Sequence, residues 1–162
     1  MLRTCESLKP LRFVLLSTLM LTSGLAGNAW ATSPADELAI TNLVNAVITT
    51  LNNRDGASLH NYYVESPRAV FFGLSDDAQL VRTASTYVGV LGACLASFTS
   101  VGVAKNNDMR IQTDGPLGFV TLTGTNTMSM MGGVVTSPWR WTIVVKNVAG
   151  QWLIAHEHVS FK

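Results

Sequence analysis

The chain has 162 residues, of which 48% are hydrophobic and 13% are charged, and its formal net charge at pH 7 is +1. This length suits one ordinary domain with its own core. The 11 basic and 10 acidic residues nearly balance, and no cluster of Lys and Arg stands out beyond the N-terminal segment. The composition therefore argues against nucleic acid or an anionic membrane surface as a partner.

Residues 1–31 have the three parts of a secretory signal peptide. The start is basic, an uncharged apolar run covers residues 13–26, and Ala29 and Ala31 supply the small side chains that signal peptidase accepts. A membrane-spanning helix needs about 20 apolar residues, and this run is shorter. We therefore expect cleavage after Ala31, a mature domain over residues 32–162, and a periplasmic or secreted protein with no membrane attachment.

Removal of the predicted signal peptide changes the charge and the cysteine count. It leaves 8 basic and 9 acidic residues, which gives a formal charge of −1. Cys94 is then the only cysteine, so an intramolecular disulfide is impossible even in an oxidising compartment. Because Cys94 lies in an apolar helical stripe, we expect a buried structural thiol and not a nucleophile.

The first half of the mature domain has the periodicity of helices. Ser33 and Pro34 are typical of a helix start, as cap and first helical residue. Apolar residues recur behind them at spacings of three and four over residues 40–51, which indicates one buried helix face. A short second helix is predicted near residues 57–63, and the same spacing predicts a third helix over residues 87–98.

The second half has the composition and turn spacing of antiparallel strands. A brief strand at residues 69–72 precedes the third helix. Beyond that helix, turns rich in Gly, Asn, Asp and Pro separate four Thr- and Val-rich runs, near residues 109–113, 117–128, 134–146 and 151–161. Helices followed by strands predict an α+β domain, with the helices packed on one face of a curved antiparallel sheet.

Four segments occur in the order typical of one fold family. They are Leu51-Asn52-Asn53-Arg54-Asp55, Tyr62-Tyr63, Val70-Phe71-Phe72-Gly73, and the terminal run from Gln151 to Ser160 with its His-x-His-x-Ser ending. Together they resemble the SnoaL-like, nuclear transport factor 2-like superfamily, and the terminal run is also similar to the calcium/calmodulin-dependent kinase association domain. The resemblance implies a cone-shaped domain, in which a bent sheet wraps three N-terminal helices around one deep pocket, commonly as a homodimer.

The resemblance does not imply one activity. This architecture hosts isomerases, cyclases, dehydratases, epoxide hydrolases and non-catalytic binding or assembly modules, so function depends on the site. In the ketosteroid isomerase, a catalytic aspartate and an oxyanion-stabilising tyrosine match Gly73 and Val47 of this chain. Because neither side chain is present here, we do not expect steroid isomerisation by that mechanism.

The last two predicted strands contain the strongest candidate for acid–base chemistry. Strict alternation in the final strand gives two faces: Trp152, Ile154, His156, His158 and Ser160 on one, and Leu153, Ala155, Glu157, Val159 and Phe161 on the other. Trp139 and Trp141 of the preceding strand share the predicted inner face with Glu157. Burial can raise the pKa of such a carboxyl by up to about 3–5 pH units, which suits a general acid or base. The alternative is a Glu157 on the outer face or in a structural pair with an arginine.

His156 and His158 are candidates for catalytic assistance to that carboxylate. They could also supply two metal ligands from one strand face. A third ligand would have to be His60, Asp76 or Asp77, and nothing in their spacing indicates this. We therefore predict neither a metal nor a cofactor, and the outer sheet face with a dimer contact is the other interpretation of the His-x-His pattern.

Candidate ligand-binding residues are Trp139, Trp141, Arg140, Tyr62 and Tyr63. The Arg-x-Thr run at Arg140 resembles that of SnoaL-like relatives and could anchor a carboxylate, although strand alternation places this arginine with the histidines. Tyr62 and Tyr63 lie near the end of the second helix, where such pockets often have a polar lining residue. Core packing with a satisfied hydroxyl is the alternative for both tyrosines.

Three functions remain open at this point. The first is an exported domain that binds a small apolar or carboxylate-bearing organic ligand. The second is a cofactor-independent isomerase, lyase or hydrolase that uses Glu157 as a general acid or base. The third is a structural or assembly module without catalysis. We expect a homodimer under all three, because apolar residues exposed on a sheet face favour association.

Overall fold

The structure is a computed structural model that describes residues 32–72 and 81–161. Its helices are α1 (Pro34–Asn52), a 3-10 helix (Gly56–Tyr62) and α2 (Ala84–Ser97). Its strands are β1 (Val70–Phe72), β2 (Val81–Arg82), β3 (Ser100–Lys105), β4 (Arg110–Asp114), β5 (Leu117–Met130), β6 (Gly133–Val148) and β7 (Gln151–Phe161). The predicted signal peptide, Gly73, Asp76 and Asp77 lie outside the described residues.

The start of α1 is fixed by its cap and by a bond to the sheet. Ser33 Oγ accepts a hydrogen bond from the Asp36 backbone N–H at 3.1 Å and donates to Asp36 Oδ2 at 2.7 Å. Pro34 opens the helix, as its fixed φ favours. The indole N–H of Trp152 donates to Asp36 Oδ1 at 3.0 Å. The first turn of α1 is therefore attached directly to β7.

The strands form one curved, unclosed sheet in the order β2-β1-β7-β6-β5-β3, with β4 also paired to β5. Most pairs are antiparallel, as predicted, but β1 runs parallel to β7 and makes the sheet mixed. In this part of the sheet β1 lies between the edge strand β2 and β7. The α+β class with three helices is confirmed. Within the described ranges, no helix has the length and apolar character needed to cross a membrane.

The core lies between the helices and the inner face of the sheet. Residues Ile40, Val44 and Val47 of α1 have no exposed surface. On β6 the buried side chains alternate as predicted, at Trp139, Trp141, Ile143 and Val145. This alternation is what directs both tryptophans toward the interior.

A β-bulge in β7 changes which of its side chains face the interior. The pairing with β6 slips by one residue, and Ala155 is the extra residue. Trp152 and Ile154 before the bulge and Glu157 beyond it are consequently all buried. Strict alternation, which placed Trp152 and Ile154 opposite Glu157, is wrong on this point because one inserted residue reverses the phase of the strand.

Candidate functional site

The curved sheet and the helices enclose a cavity of about 300 Å³, which lies within the size range of small-molecule pockets. The helical half of the chain lines it with Val47, Leu51, Tyr63, Tyr87, Leu91, Cys94, Leu95 and Phe98. The strands line it with Val101, Val103, Asn126, Met128, Trp139, Trp141, Glu157, Val159 and Phe161. The wall is thus mainly aliphatic and aromatic, and none of the described lining residues is a Lys, Arg or His.

Helix α2 contributes one complete face to the cavity. Tyr87, Leu91, Cys94 and Leu95 follow one another at spacings of four, three and one, so they share one side of the helix. The sequence pattern predicts this stripe as core. The structure shows that it borders open space instead of packing fully against the sheet.

The carboxylate of Glu157 accepts three hydrogen bonds at one end of this cavity. The Tyr63 hydroxyl donates to Oε1 at 3.2 Å, and the Tyr87 hydroxyl donates to the same oxygen. The indole N–H of Trp141 donates to Oε2 at 3.0 Å. The donors come from the end of the 3-10 helix, from α2 and from β6, so three separate parts of the fold position one carboxylate.

Burial raises the pKa of Glu157 from 4.5 to about 7. The hydrogen bonds from Tyr87, Tyr63 and Trp141 lower this pKa, but their effect is smaller than that of desolvation. All three donors are neutral, and neutral donors compensate a buried charge less well than a cation does. Both protonation states of Glu157 are therefore populated near neutral pH, so this group can both donate and accept a proton.

The two tyrosines remain protonated hydroxyl donors. Burial and the adjacent Glu157 carboxylate raise the pKa of Tyr63 and of Tyr87 well above 10. Phe71 holds both rings: it stacks on Tyr87 at a centroid distance of 4.6 Å and meets the Tyr63 ring edge at 5.7 Å. Aromatic pairs of this geometry fix the ring orientations, so the two O–H groups are preorganised toward the carboxylate.

Two other polar atoms of the lining are buried without a hydrogen-bond partner among the described residues. They are Asn126 Oδ1 and Trp139 Nε1, in side chains that are each 4% exposed. The absence of a side chain at Gly124 leaves room for the Trp139 ring, because a Cβ at residue 124 would lie 2.2 Å from the indole Cζ2. The ring therefore lies against bare backbone of β5. An unsatisfied buried polar group costs about 1–3 kcal/mol, so each of these atoms requires an explanation.

A family model for the SnoaL-like domain matches residues 40–162. The chain belongs to the SnoaL-like domain family. The resemblance found in the terminal run and in the helix ends is thereby confirmed. No curated protein matches the chain.

Solved structures share the architecture of this SnoaL-like domain. A nuclear transport factor 2-like protein from Salmonella enterica serovar Typhimurium is 17% identical, with a TM-score of 0.69, over 77% of this chain and 89% of that chain. A candidate dehydratase of the same fold family from Streptomyces avermitilis is 13% identical, with a TM-score of 0.70, over 81% and 99%. A candidate calcium/calmodulin-dependent kinase II association domain from Xanthomonas campestris is 18% identical, with a TM-score of 0.64, over 82% and 94%. At these identities the likeness concerns the fold alone.

The fold brings four of the sequence-predicted residues together at the cavity of the SnoaL-like domain. These are Glu157, Trp139, Trp141 and Tyr63. Tyr62 does not line the cavity, and its hydroxyl hydrogen bonds with Thr50 Oγ1 at 3.1 Å. The two neighbouring tyrosines thus lie in different environments: Tyr63 lines the cavity, and Tyr62 contacts α1.

The remaining candidates lie away from the cavity lining. Arg140 is exposed on β6, where it pairs with Ser160 of β7. His158 is exposed as well, whereas His156 is partly buried and its Nδ1 donates to the carbonyl oxygen of Val70. Because Glu157 points inward and side chains alternate along this part of β7, both flanking histidines project from the other face of the strand.

The described residues offer no preformed metal centre. Within residues 32–72 and 81–161, no group of three or more His, Cys, Asp and Glu side chains could hold a metal ion. Cys94 lines the cavity as a half-buried thiol, and burial raises its pKa. A thiol of raised pKa is a poor nucleophile at neutral pH, so Glu157 is the stronger candidate for chemistry.

Two residues of the site, Tyr87 and Asn126, are not among the sequence-based candidates. Tyr87 fits an apolar helical stripe, and periodicity alone gives no reason to separate it from Val88 or Leu91. Asn126 has a weak signal, because it continues the inward alternation of Leu122 and Gly124 on β5. An amide at an inward position of a central strand predicts a buried polar group that needs a partner.

Proposed function

We propose that this SnoaL-like domain is exported and binds a small, largely apolar organic molecule in its cavity. The observation that carries the proposal is the apolar cavity of about 300 Å³ that ends at the buried carboxyl group of Glu157. Ligand pockets characteristically combine mostly apolar walls with a few convergent polar groups. The cluster of Glu157, Tyr63, Tyr87 and Trp141 supplies those polar groups.

The energetic cost of this arrangement favours a ligand site over a purely structural module. Well-packed apolar residues in place of a buried ionisable group are often neutral or stabilising for a fold. A cavity also reduces stability, because the side chains around it lose packing contacts. The buried ionisable group and the cavity both lower stability, and they lie at the same place. This coincidence is expected where selection favours ligand binding over close packing.

The proposal is tested by filling the cavity. Leu91→Trp places an indole in the space that the ligand would occupy, and Val90→Trp adds the same group on the 47% exposed neighbouring position of α2. Biphenyl, biphenyl-4-ol and biphenyl-4-carboxylate serve as apolar, hydroxylated and anionic probes. Binding is measured by calorimetry and by the shift in melting temperature.

We expect at least one probe to bind the wild-type domain and the Val90→Trp variant equally. Leu91→Trp should fold but lose this binding, because the cavity is occupied. Absence of binding of all three probes to the wild type would refute the proposal. Equal binding by Leu91→Trp would show that the probes bind elsewhere, and would refute it as well.

A second candidate function, cofactor-independent acid–base catalysis, is favoured by the pKa of Glu157 near 7. In its ionised form Glu157 would take a proton from a substrate C–H or O–H group, and in its neutral form it would return the proton to another atom. Such transfers serve an isomerase or a lyase directly, and a hydrolase when the proton is taken from the water that attacks the substrate. Tyr63 and Tyr87 would act as positioning residues through their hydrogen bonds to the carboxylate.

A neutral, compact proton donor tests this candidate function directly. Removal of the C3 proton of 5-nitrobenzisoxazole by Glu157 would break the ring N–O bond and release 2-cyano-4-nitrophenolate, with the proton on Glu157. We expect the wild-type rate to rise with pH through about 7 and Glu157→Gln to abolish it. If both proteins give the same rate, Glu157 is not an accessible base, although the binding proposal would stand.

The homodimer expected from the sequence remains a proposal. It is supported by apolar side chains exposed at the hairpin of β5 and β6: Met130, Met131, Val134 and Val135 are 46–101% exposed. Exposed apolar surface of this kind favours association. Sedimentation equilibrium should show a dimer for the wild type and a monomer for Val135→Lys. A wild-type monomer at micromolar concentration would exclude the dimer.

A further inference from the structure

Asn126 and Trp139 form a polar position in the cavity that is separate from Glu157. Trp139 is paired with Gly124 on β5, and Asn126 lies two residues further along the same inner face. The two side chains are therefore diagonal neighbours across the strand pair. Glu157 is paired with Ile143, four residues along β6 from Trp139. The Glu157 carboxylate accepts from the Trp141 indole at 3.0 Å, and the centre of the Trp141 ring lies 6.2 Å from that of Trp139, so the two polar positions are separated by the Trp141 side chain.

The hydrogen-bonding character of the two unpartnered atoms is complementary. Trp139 Nε1 only donates, and Asn126 Oδ1 only accepts. A hydroxyl group accepts one hydrogen bond and donates another, so it satisfies both atoms at once. A carbonyl oxygen would leave Asn126 Oδ1 unpaired. A carboxylate would place negative charge against that oxygen, in an apolar wall that disfavours ions.

We propose that Asn126 and Trp139 bind the hydroxyl group of an uncharged, otherwise apolar ligand whose other end lies at Glu157. This inference rests on the proposed function and specifies the class of ligand. Between the two positions the wall is apolar, and Trp141 and Val159, a cross-strand pair, lie on the path. The ligand is thus elongated, with an apolar body and a hydroxyl at one end.

The test compares two probes that differ only in one hydroxyl group. We expect the wild-type domain to bind biphenyl-4-ol about 10-fold more tightly than biphenyl, since two neutral hydrogen bonds each contribute a few-fold in affinity. Asn126→Leu, a near-isosteric change, should reduce this ratio to about 3-fold or less while biphenyl binds at least as well. Thr127→Val is the matched control, because Thr127 lies on the outer face of β5 and meets Thr136 there. It should retain the wild-type ratio.

Stability provides an independent readout of the same atoms. Asn126→Leu replaces a buried polar side chain of an apolar wall with an apolar one of similar size, so the ligand-free variant should melt at the wild-type temperature or above it. A residue kept for binding at the expense of stability is expected at a functional site. If Asn126→Leu fails to fold, Trp139→Phe tests the donor instead, and it should also reduce the preference for biphenyl-4-ol.

The possible outcomes separate this inference from the proposed function. If neither the apolar nor the hydroxylated probe binds the wild type but the carboxylate does, the inference is refuted and the binding proposal survives. Equal affinities of biphenyl and biphenyl-4-ol for the wild type would refute the inference alone, as would a hydroxyl preference that persists in both Asn126→Leu and Trp139→Phe. Absence of all binding refutes the proposed function itself.

Discussion

At the scale of single residues, Glu157 determines how the stability of the domain depends on pH. Its pKa is raised by burial from 4.5 to about 7, so the folded state binds a proton over a range in which the unfolded state has released it. The stabilisation by neutral Glu157 is complete below about pH 4.5 and is lost as the pH rises through 7. At about 1.4 kcal/mol per pH unit, the loss is roughly 3 kcal/mol.

Glu157→Gln should remove this pH dependence. A glutamine can accept from the Trp141 indole with its amide oxygen, while the hydroxyls of Tyr63 and Tyr87 turn to accept from its amide nitrogen. We expect the variant to equal the wild type in free energy of unfolding near pH 4.5 and to exceed it by about 2–3 kcal/mol at pH 8. Urea unfolding across this range gives the difference. Parallel pH profiles for the two proteins would contradict the expectation.

The hydroxyl of Tyr87 limits how far the pKa of Glu157 rises. Its hydrogen bond is the largest of the three contributions that lower this pKa. Tyr87→Phe should therefore move the titration midpoint of Glu157 above 7, and Tyr63→Phe should move it upward by less. Tryptophan fluorescence reports the titration, because the Trp141 indole is bonded to the carboxylate.

Tyr62→Phe is the control for these two variants, since the Tyr62 hydroxyl bonds to Thr50 and not to Glu157. It should leave the midpoint unchanged. A midpoint that is the same in Tyr87→Phe and the wild type would show that the hydrogen bond does not stabilise the ionised carboxyl group.

The sequence predicts the residue at the centre of the site but not its partners. The sequence predicts that Glu157 is an isolated carboxylate on the apolar face of the terminal strand. This is unusual, because carboxylates are rarely buried without a reason. The sequence does not indicate the hydrogen-bond donors to Glu157, because Tyr87 lies 70 residues away and fits an ordinary helical pattern. The two side chains meet only in the folded domain, where the Tyr87 hydroxyl of α2 reaches Glu157 of β7.

At the scale of elements, the 3-10 helix and α2 meet through two glycines. A Cβ on Gly56 would lie 2.6 Å from the Cα of Gly92, too close for backbone that is held on both sides. A Cβ on Gly92 would lie 3.4 Å from the Cα of Gly56, an ordinary contact. The closeness of these two elements positions Tyr63 and Tyr87, which follow Gly56 and precede Gly92 respectively.

Gly56→Ala and Gly92→Ala should thus have opposite effects. We expect the first to lower the free energy of unfolding by about 1–3 kcal/mol, because the added methyl group forces the elements apart. The second should be neutral or stabilising by up to about 1 kcal/mol, because alanine is the better helix former. Urea unfolding measures both. Equal losses in the two variants would show that the contact is not as asymmetric as described.

Elements with strong local signals are predicted well, and those that depend on distant pairing are not. The capped start of α1 and the long strands β5 to β7 have clear periodicity and turns. Strand β2 has only two residues and is not predicted, and β3 is not predicted either, although Val101 and Val103 alternate with more exposed residues. The parallel pairing of β1 with β7 is not predicted from the sequence, because it joins residues more than 80 positions apart.

At the scale of the whole molecule, the first residues of the expected mature domain are bonded to the rest of it. Thr32 Oγ1 donates to the carbonyl oxygen of Ile111 at 3.2 Å, and Ser33 caps α1. We propose that cleavage after Ala31 releases a chain that contains all the described residues of the cavity lining. Mass spectrometry of the exported protein should give Thr32 as its first residue.

Ala31→Gln should prevent this cleavage, because signal peptidase requires a small residue there. The uncleaved precursor should accumulate with residues 1–31 still attached. Ala35→Gln, beyond the cleavage position and exposed on α1, should be processed normally. An exported protein that retains residues 1–31 in the wild type would exclude a cleavable signal.

The bulge at Ala155 has a consequence for how this domain can diverge. It divides β7 into two halves. Even-numbered residues face the interior in the first half and odd-numbered ones in the second, so the first half is constrained by packing on α1 and the second by what the cavity holds. Point substitutions keep that division, whereas the insertion or deletion of one residue between Ala155 and Glu157 would bring a flanking histidine to the inner face in place of Glu157. A change of one residue in length at this place would thus replace the carboxyl group at the cavity with an imidazole, without any substitution.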